Sequence, residues 1–384
     1  MPPAIPRNKL INLIGMVGLN NFALGLISIF VPIYLLQIGY SFETVMVWFI
    51  IHHSCILIGA FGTMYLSNKI GLVRSLHVRF LFLITELLLL LALPTHPWLF
   101  YLIPVITGLE SALYWMPVNI LLVRNTTEET MGSSMSKFFA YPNILSIWSP
   151  LIGAAVAYYF GFPILFILSA LILALAITPI LSLASAKTDF KFTWFHAKEI
   201  YKKNKRFFLP EVIDNLAEDA GVIWSVFVYI QLVSIVQIGL IGTLTAIAGV
   251  FFTLTIGKLT DQWDKRKLIR IGAVLVSLMW FLNFLIGEYI PNQWLFYIAS
   301  IGMTLSLKVF LVPYSSVLFN RARKDDAQFI VLREIPTILG RLILYGLAIV
   351  LSDRIPYLFI FVALVFIYFW FVDFRRLERN DGQF

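Results

Sequence analysis

Glu211, Asp214 and Glu218 follow one another at i, i+3 and i+7, a spacing that stacks three carboxylates along one face of a helix. Asp219 adjoins the last of them, and the residues that follow are mostly apolar. Like charges stacked away from water repel when ionised, so one of these acids is a candidate proton carrier. Glu211 and Asp214 fall in the first turns of that run, where water is expected to reach them, and Glu218 and Asp219 deeper. Glu110 is central in another apolar run, Lys308 and Arg341 lie in two more, and Asn20 and Asn21 form a polar pair in a fourth. The two cations can stand in fixed ion pairs with the carboxylates or hold an anion. For Glu218, proton carriage and static pairing with Lys308 or Arg341 both stand open; for Glu110 proton carriage is the preferred reading. His52 and His53 are adjacent and point in different directions on a helix, so at most one is expected to be functional. A neutral histidine bonded to a neighbouring helix is the simpler reading, a proton relay the alternative. Glu86, in a further apolar run, has no evident partner.

The elements that must position these residues are long and apolar. Of 384 residues 60% are hydrophobic and only 13% charged, and the mean hydropathy is +0.86. Soluble domains are about half apolar and a quarter charged, so the bilayer must be part of this chain's solvent. About twelve runs reach the roughly 20 residues needed to cross it, near 10–37, 44–67, 74–94, 98–123, 134–159, 162–184, 208–232, 236–257, 268–288, 293–319, 328–351 and 356–374. Such runs satisfy their backbone in lipid only as helices. The first is too long for a cleaved signal peptide. A charge at mid-bilayer costs on the order of 3 kcal/mol or more, which makes the few listed above functional candidates by default.

Lys and Arg gather in every second loop. Arg7 and Lys9 precede the first run, Lys69 and Arg74 follow the second, and Arg124 and Lys137 follow the fourth. Lys187 to Arg206 fill the central connection, Lys258 to Arg270 follow the eighth run, and Arg321, Arg323 and Lys324 the tenth. Arg375, Arg376 and Arg379 follow the last; Arg354 is the exception. This is the positive-inside pattern for twelve spans in a plasma membrane with both termini cytoplasmic. The net charge of +8 is therefore topological and does not point to nucleic acid. The connection near 186–207, rich in Lys with interleaved aromatics, reads as a solvated basic linker, with an interfacial helix as the alternative. It separates an expected bundle over 1–185 from a second over 208–384.

The halves repeat. Asn68 to Gly71 after the second span aligns with Asp261 to Asp264 after the eighth, and Pro117 and Arg124 of the fourth with Pro313 and Arg321 of the tenth. The loop after the eighth span reads Gly257-Lys258-Leu259-Thr260-Asp261-Gln262-Trp263-Asp264-Lys265-Arg266-Lys267. It resembles the signature Gly-x-Leu-x-Asp-x-x-Gly-[Arg/Lys]-[Arg/Lys] of the major facilitator superfamily, with Asp264 in place of glycine. The first-half copy, Met64 to Arg74, keeps neither the first glycine nor the aspartate, the reverse of the usual balance. Ser149-Pro150-Leu151-Ile152-Gly153-Ala154 faintly resembles that superfamily's Gly-Pro-x-x-Gly-Gly antiporter motif.

The resemblance implies an all-α membrane protein of two six-helix pseudo-repeats whose first, fourth, seventh and tenth helices line a central cavity. Asn20, Asn21, Glu110, Glu218, Asp219 and Lys308 all fall on those helices; Arg341 does not. It implies a secondary transporter moving a small solute by alternating access, with protons as the coupling ion and Gly257, Asp261, Lys265 and Arg266 forming a gating loop. Arg333 and Glu334 are possible latch partners of that loop, and Tyr114, Trp115 and Trp224 would suit an apolar ligand if they face the cavity. A non-transporting lipid-handling or sensor module on the same fold is the alternative. No HExxH, GxSxG, phosphate-binding glycine loop or paired-cysteine motif is present, so neither an enzyme nor a cofactor or metal is expected. The expected partners are a solute, protons and lipid, with the chain monomeric.

Overall fold

The computed structural model describes residues 7–125, 140, 143–181, 191–325 and 328–374. Lys137, Lys187 and the arginines from 375 onward lie outside them. Helices occupy the expected runs and no strand occurs among the described residues. The first span is broken at Ser28 and Ile29 into Arg7–Ile27 and Phe30–Gln37; the second, third and fourth are Phe42–Ile70, Leu72–Ala92 and Leu99–Asn125. The fifth and sixth form one continuous element, Ser149–Leu181, folded at Gly161, whose φ of 82° a side chain would strain. Phe208–Leu232, Ile235–Gln262, Lys265–Tyr289, Gln293–Asp325 and Gln328–Val350 are the seventh to eleventh. The twelfth comprises Pro356–Phe366 and Tyr368–Phe371.

Eight of these helices are long and apolar enough to cross a membrane on length and composition. The folded element counts as one of the eight and carries the fifth and sixth runs on either side of Gly161. The seventh and eleventh spans miss the threshold because each carries several charges, and the twelfth because it is short and broken. The two charged spans pack against each other, so the charges that make them poor solo spans face one another. Apolar side chains such as Leu81, Phe251 and Leu364 stay exposed, as a lipid-facing surface requires.

Within the first half, span one packs on five and span four on two and three; within the second, span seven packs on eleven, and ten on eight and nine. The halves repeat in detail. A Cβ at Gly153 of span five would collide with the Leu26 carbonyl of span one, and a Cβ at Gly340 of span eleven with the Val212 carbonyl of span seven. Gly340 lies 187 residues after Gly153, and Val212 lies 186 after Leu26. Both helix pairs approach backbone to backbone, which only glycine permits.

The halves meet through span two against eleven and span five against eight. Along span two the contacts run from Gln37 at the end of span one, whose amide donates to Tyr229 at 2.9 Å, through Phe49 stacked on Tyr345 at 5.0 Å, to Ile56 packed with Ile338. All lie between the middle of the bundle and the end opposite the basic loops.

Candidate functional site

His53 of span two, Asp219 of span seven and Arg341 and Tyr345 of span eleven converge between the halves. His53 Nε2 is 2.6 Å from Asp219 Oδ2, and both side chains are buried. The Tyr345 hydroxyl donates to the same oxygen at 3.1 Å, and Arg341 Nε lies 3.2 Å from Oδ1. His53 Nδ1 is buried without a hydrogen-bond partner among the described residues. A neutral ring with its proton on Nε2, donated to Asp219, satisfies this geometry; an imidazolium would leave a buried N–H unmet. Arg341 Nη2 reaches Asn215 Oδ1 at 3.2 Å and Glu218 Oε2 at 3.4 Å. Of the two cations expected beside Glu218 and Asp219, Arg341 is the one that pairs with them.

Depth along span seven differs from the expectation. Glu211 and Asp214 are buried, whereas the Glu218 side chain is 47% exposed. Neighbouring helices decide this, not distance from the helix end. Tyr314 of span ten donates to Glu211 at 2.6 Å, and Arg333 of span eleven lies 3.3 Å from its other oxygen. Arg333 thus serves span seven, where a loop latch was expected.

Glu110 takes a partner that sequence reasoning missed. Arg79 of span three, 1% exposed, forms a buried ion pair with it, and its guanidinium sits 4.0 Å from the Tyr114 ring centroid. Glu86 interacts electrostatically with both. The signal was in the sequence: Arg79 lies well inside an apolar run and seven residues before Glu86, on the same helical face. Tyr114 and Trp224 are buried, the latter donating to Ser300 at 2.9 Å; neither faces the cavity described next. His52 is also engaged, with Thr107 at 2.7 Å, so both histidines have partners.

On the basic-loop side of the crossing lies a cavity of about 400 Å³. Asn21, Ser146, Thr245, Thr304 and Lys308 are among its lining residues, which come from spans one, five, eight and ten. The expected fourth and seventh helices do not line it, because Glu110 turns to span three and the carboxylates of span seven to span eleven. Asn20 is fully buried and bonds Asn21, whose own amide donates to Asn143 at 3.0 Å.

Gly257 and Asp261 lie in the last turns of span eight and not in a loop, Gly257 buried and Asp261 exposed. Asp264, the departure from the signature, caps the next helix by accepting from Arg266 N at 3.0 Å, and Lys265 donates to Ser316 at 2.9 Å within the same half. In the first-half copy, Asn68 holds the Phe192 backbone in the connection at both N (2.8 Å) and O (2.9 Å). From Trp194 to Lys203 that connection is a helix packed on span eleven, where a solvated linker was the preferred reading. Gln328 of span eleven accepts from Thr193 N at 3.1 Å, and Trp194 stacks on Phe61 of span two at 4.8 Å.

No family model matches the chain. The uncharacterized protein YqgE of Bacillus subtilis (strain 168) is 25% identical over 299 residues, covering 72% of this chain and 67% of that protein. The E. coli fucose:proton symporter FucP superposes with a TM-score of 0.71 at 14% identity, over 97% of this chain and all of that one. A bacterial homologue of the iron transporter ferroportin, in an outward-facing state, superposes with a TM-score of 0.70 at 14% identity, over 95% and 99%. This multi-pass membrane chain has the fold of the major facilitator superfamily transporters.

Proposed function

We propose that the chain is a secondary transporter that moves a small solute by alternating access and couples the movement to protons at Asp219. The bundles over 1–185 and 208–384 would rock about the connection at 186–207, as a monomer with both termini on the cytoplasmic side of the plasma membrane. Under the positive-inside rule the cavity then faces the cytoplasm, and the contacts along span two close the outer side.

The observation that carries this reading is the buried contact between His53 and Asp219, which joins the halves by a 2.6 Å polar bond. A hydrophobic contact would be indifferent to pH. Ionised Asp219 accepts from His53 and Tyr345 and balances Arg341; a proton on it cancels the charge that all three partners face. The outer closure weakens, and Arg341 retains Glu218 as its counter-charge. FucP, similar in fold, is named as a proton symporter. Glu110 is a weaker candidate for coupling, because its partner Arg79 belongs to the same half.

The test uses tight proteoliposomes with a trapped pH dye, challenged with sugars, organic acids, amino acids and lipophilic cations. A solute-dependent proton flux in wild type, lost in Asp219→Asn, is expected. Solute flux with undiminished proton flux in that variant would overturn the coupling role. Absence of flux with every solute would favour the non-transporting module.

A further inference from the structure

We infer that the central cavity binds a small hydroxylated organic anion, its acidic group on Lys308 and its hydroxyls on the Ser and Thr side chains around it. This rests on reading the cavity as the solute site of the proposed transporter.

Among the described lining residues Lys308 carries the only charge, and no carboxylate lines the cavity. Lys308 makes no hydrogen bond or ion pair among the described residues. Glu218 acts on Lys308 electrostatically without bonding it, and it is already paired with Arg341. A lysine held between helices without a counter-ion is costly in a membrane protein, and an arriving anion removes that cost. Gly249 of span eight leaves room beside the lysine: a Cβ there would meet Thr304 Cγ2 at 3.2 Å and Lys308 Cε at 3.8 Å.

The hydroxyls define the rest of the ligand. Thr304 donates to Ser300 O at 2.9 Å, Thr245 to Gly242 O at 2.9 Å, and Ser146 to Asn143 O at 3.1 Å. Each proton is spent on a backbone carbonyl three or four residues back, so what these oxygens have left to offer the cavity is an acceptor. They match donors on the solute. A purely apolar ligand would leave them unmet, a cation would face Lys308, and an anion without hydroxyls would use the lysine alone. About 400 Å³ suits a metabolite-sized molecule.

The test is calorimetric titration of the purified full chain with gluconate and glycerate, against glucose, glycerol and butyrate. At least one hydroxy-acid is expected to bind about tenfold or more tighter than its neutral counterpart and than butyrate. Lys308→Gln should weaken that binding at least about tenfold, and Lys308→Arg should largely restore it. The wild-type comparison stands alone should the glutamine variant fail to fold. Equal binding of neutral and acidic partners, binding unchanged in Lys308→Gln, or binding of none of the five overturns the inference. Because titration needs no gradient, hydroxy-acid binding without flux in liposomes would sink the transport reading and keep this one. Flux of a neutral solute with no hydroxy-acid binding would do the reverse.

Discussion

Replacing His53 by leucine removes one bond between the halves and leaves Asp219 its contacts with Tyr345 and Arg341. The lost bond is short, buried and made to a carboxylate, a class that contributes about 1.5–3 kcal/mol. Leucine fits the apolar setting of Phe49 and Tyr345, so the fold should survive. If the bond exists only when the outer side is closed, its whole contribution shifts the equilibrium between closed and open, by roughly 10- to 100-fold. The assay is a pulsed electron-resonance distance between spin labels at His96 and Gln293. These exposed positions lie at the end opposite the basic loops, one in each half. Cys55, the one native cysteine, is changed to serine for labelling. In lipid nanodiscs, His53→Leu should populate a longer distance that is minor in the unmutated background. Asp219→Asn, which mimics the protonated acid, should do the same and abolish any pH response of the unmutated background between pH 5 and 8. Identical distance distributions in all three proteins would refute the argument, because the contact would then be irrelevant to closure.

Other consequences are independent of that one. Glu110→Gln removes the carboxylate that pairs with buried Arg79 and should lower stability by about 3–5 kcal/mol, whereas the joint change Arg79→Met with Glu110→Leu should recover most of it; thermal melts in detergent decide. Asn68→Asp keeps an acceptor for Phe192 N but loses the donor to Phe192 O, so hydrogen exchange in 191–203 should quicken by a factor consistent with about 1 kcal/mol. Gly340→Ala and Gly153→Ala each force helix backbones apart and should cost about 1–3 kcal/mol apiece, read as a lower melting temperature. Comparable losses at the two sites are expected, because the two contacts are counterparts in the repeat.

Most spans were legible because hydropathy marks them, whereas the seventh and eleventh carry too many charges to qualify alone on length and composition. Side-chain partnerships were not read: even the local one, Asp264 capping the next helix, was taken only as a departure from the signature. Asp264 as a helix cap involves neighbours two residues apart, but His53 and Asp219 are 166 residues apart, and nothing in either segment names the other. Arg79 and Glu86 show a different failure. Their spacing was visible, yet only Glu86 was weighed, and a lone acid in a peripheral span has no reading until its arginine is counted. Exposure was misjudged for Glu211 because depth was measured along one helix, whereas Tyr314 and Arg333 approach it from two others.

The two buried charge systems therefore carry different mechanical meanings. Arg79 and Glu110 join spans three and four, which belong to one half, so the proposed rocking of the halves would leave their pair intact. Asp219 is shared: Tyr345 and Arg341 hold it from its own half, and His53 reaches it from the other. Separation of the halves costs only the histidine bond, while the carboxylate stays satisfied on the side that keeps it. An acid with that asymmetric support can gain or lose a proton without unfolding its own bundle, and each change alters the strength of one contact across the interface. Asp219 bonds to both halves, whereas the ion pairs of Glu110 and Glu211 each lie within one half, so under the proposed mechanism a proton at Asp219, and not at Glu110, would be converted into movement.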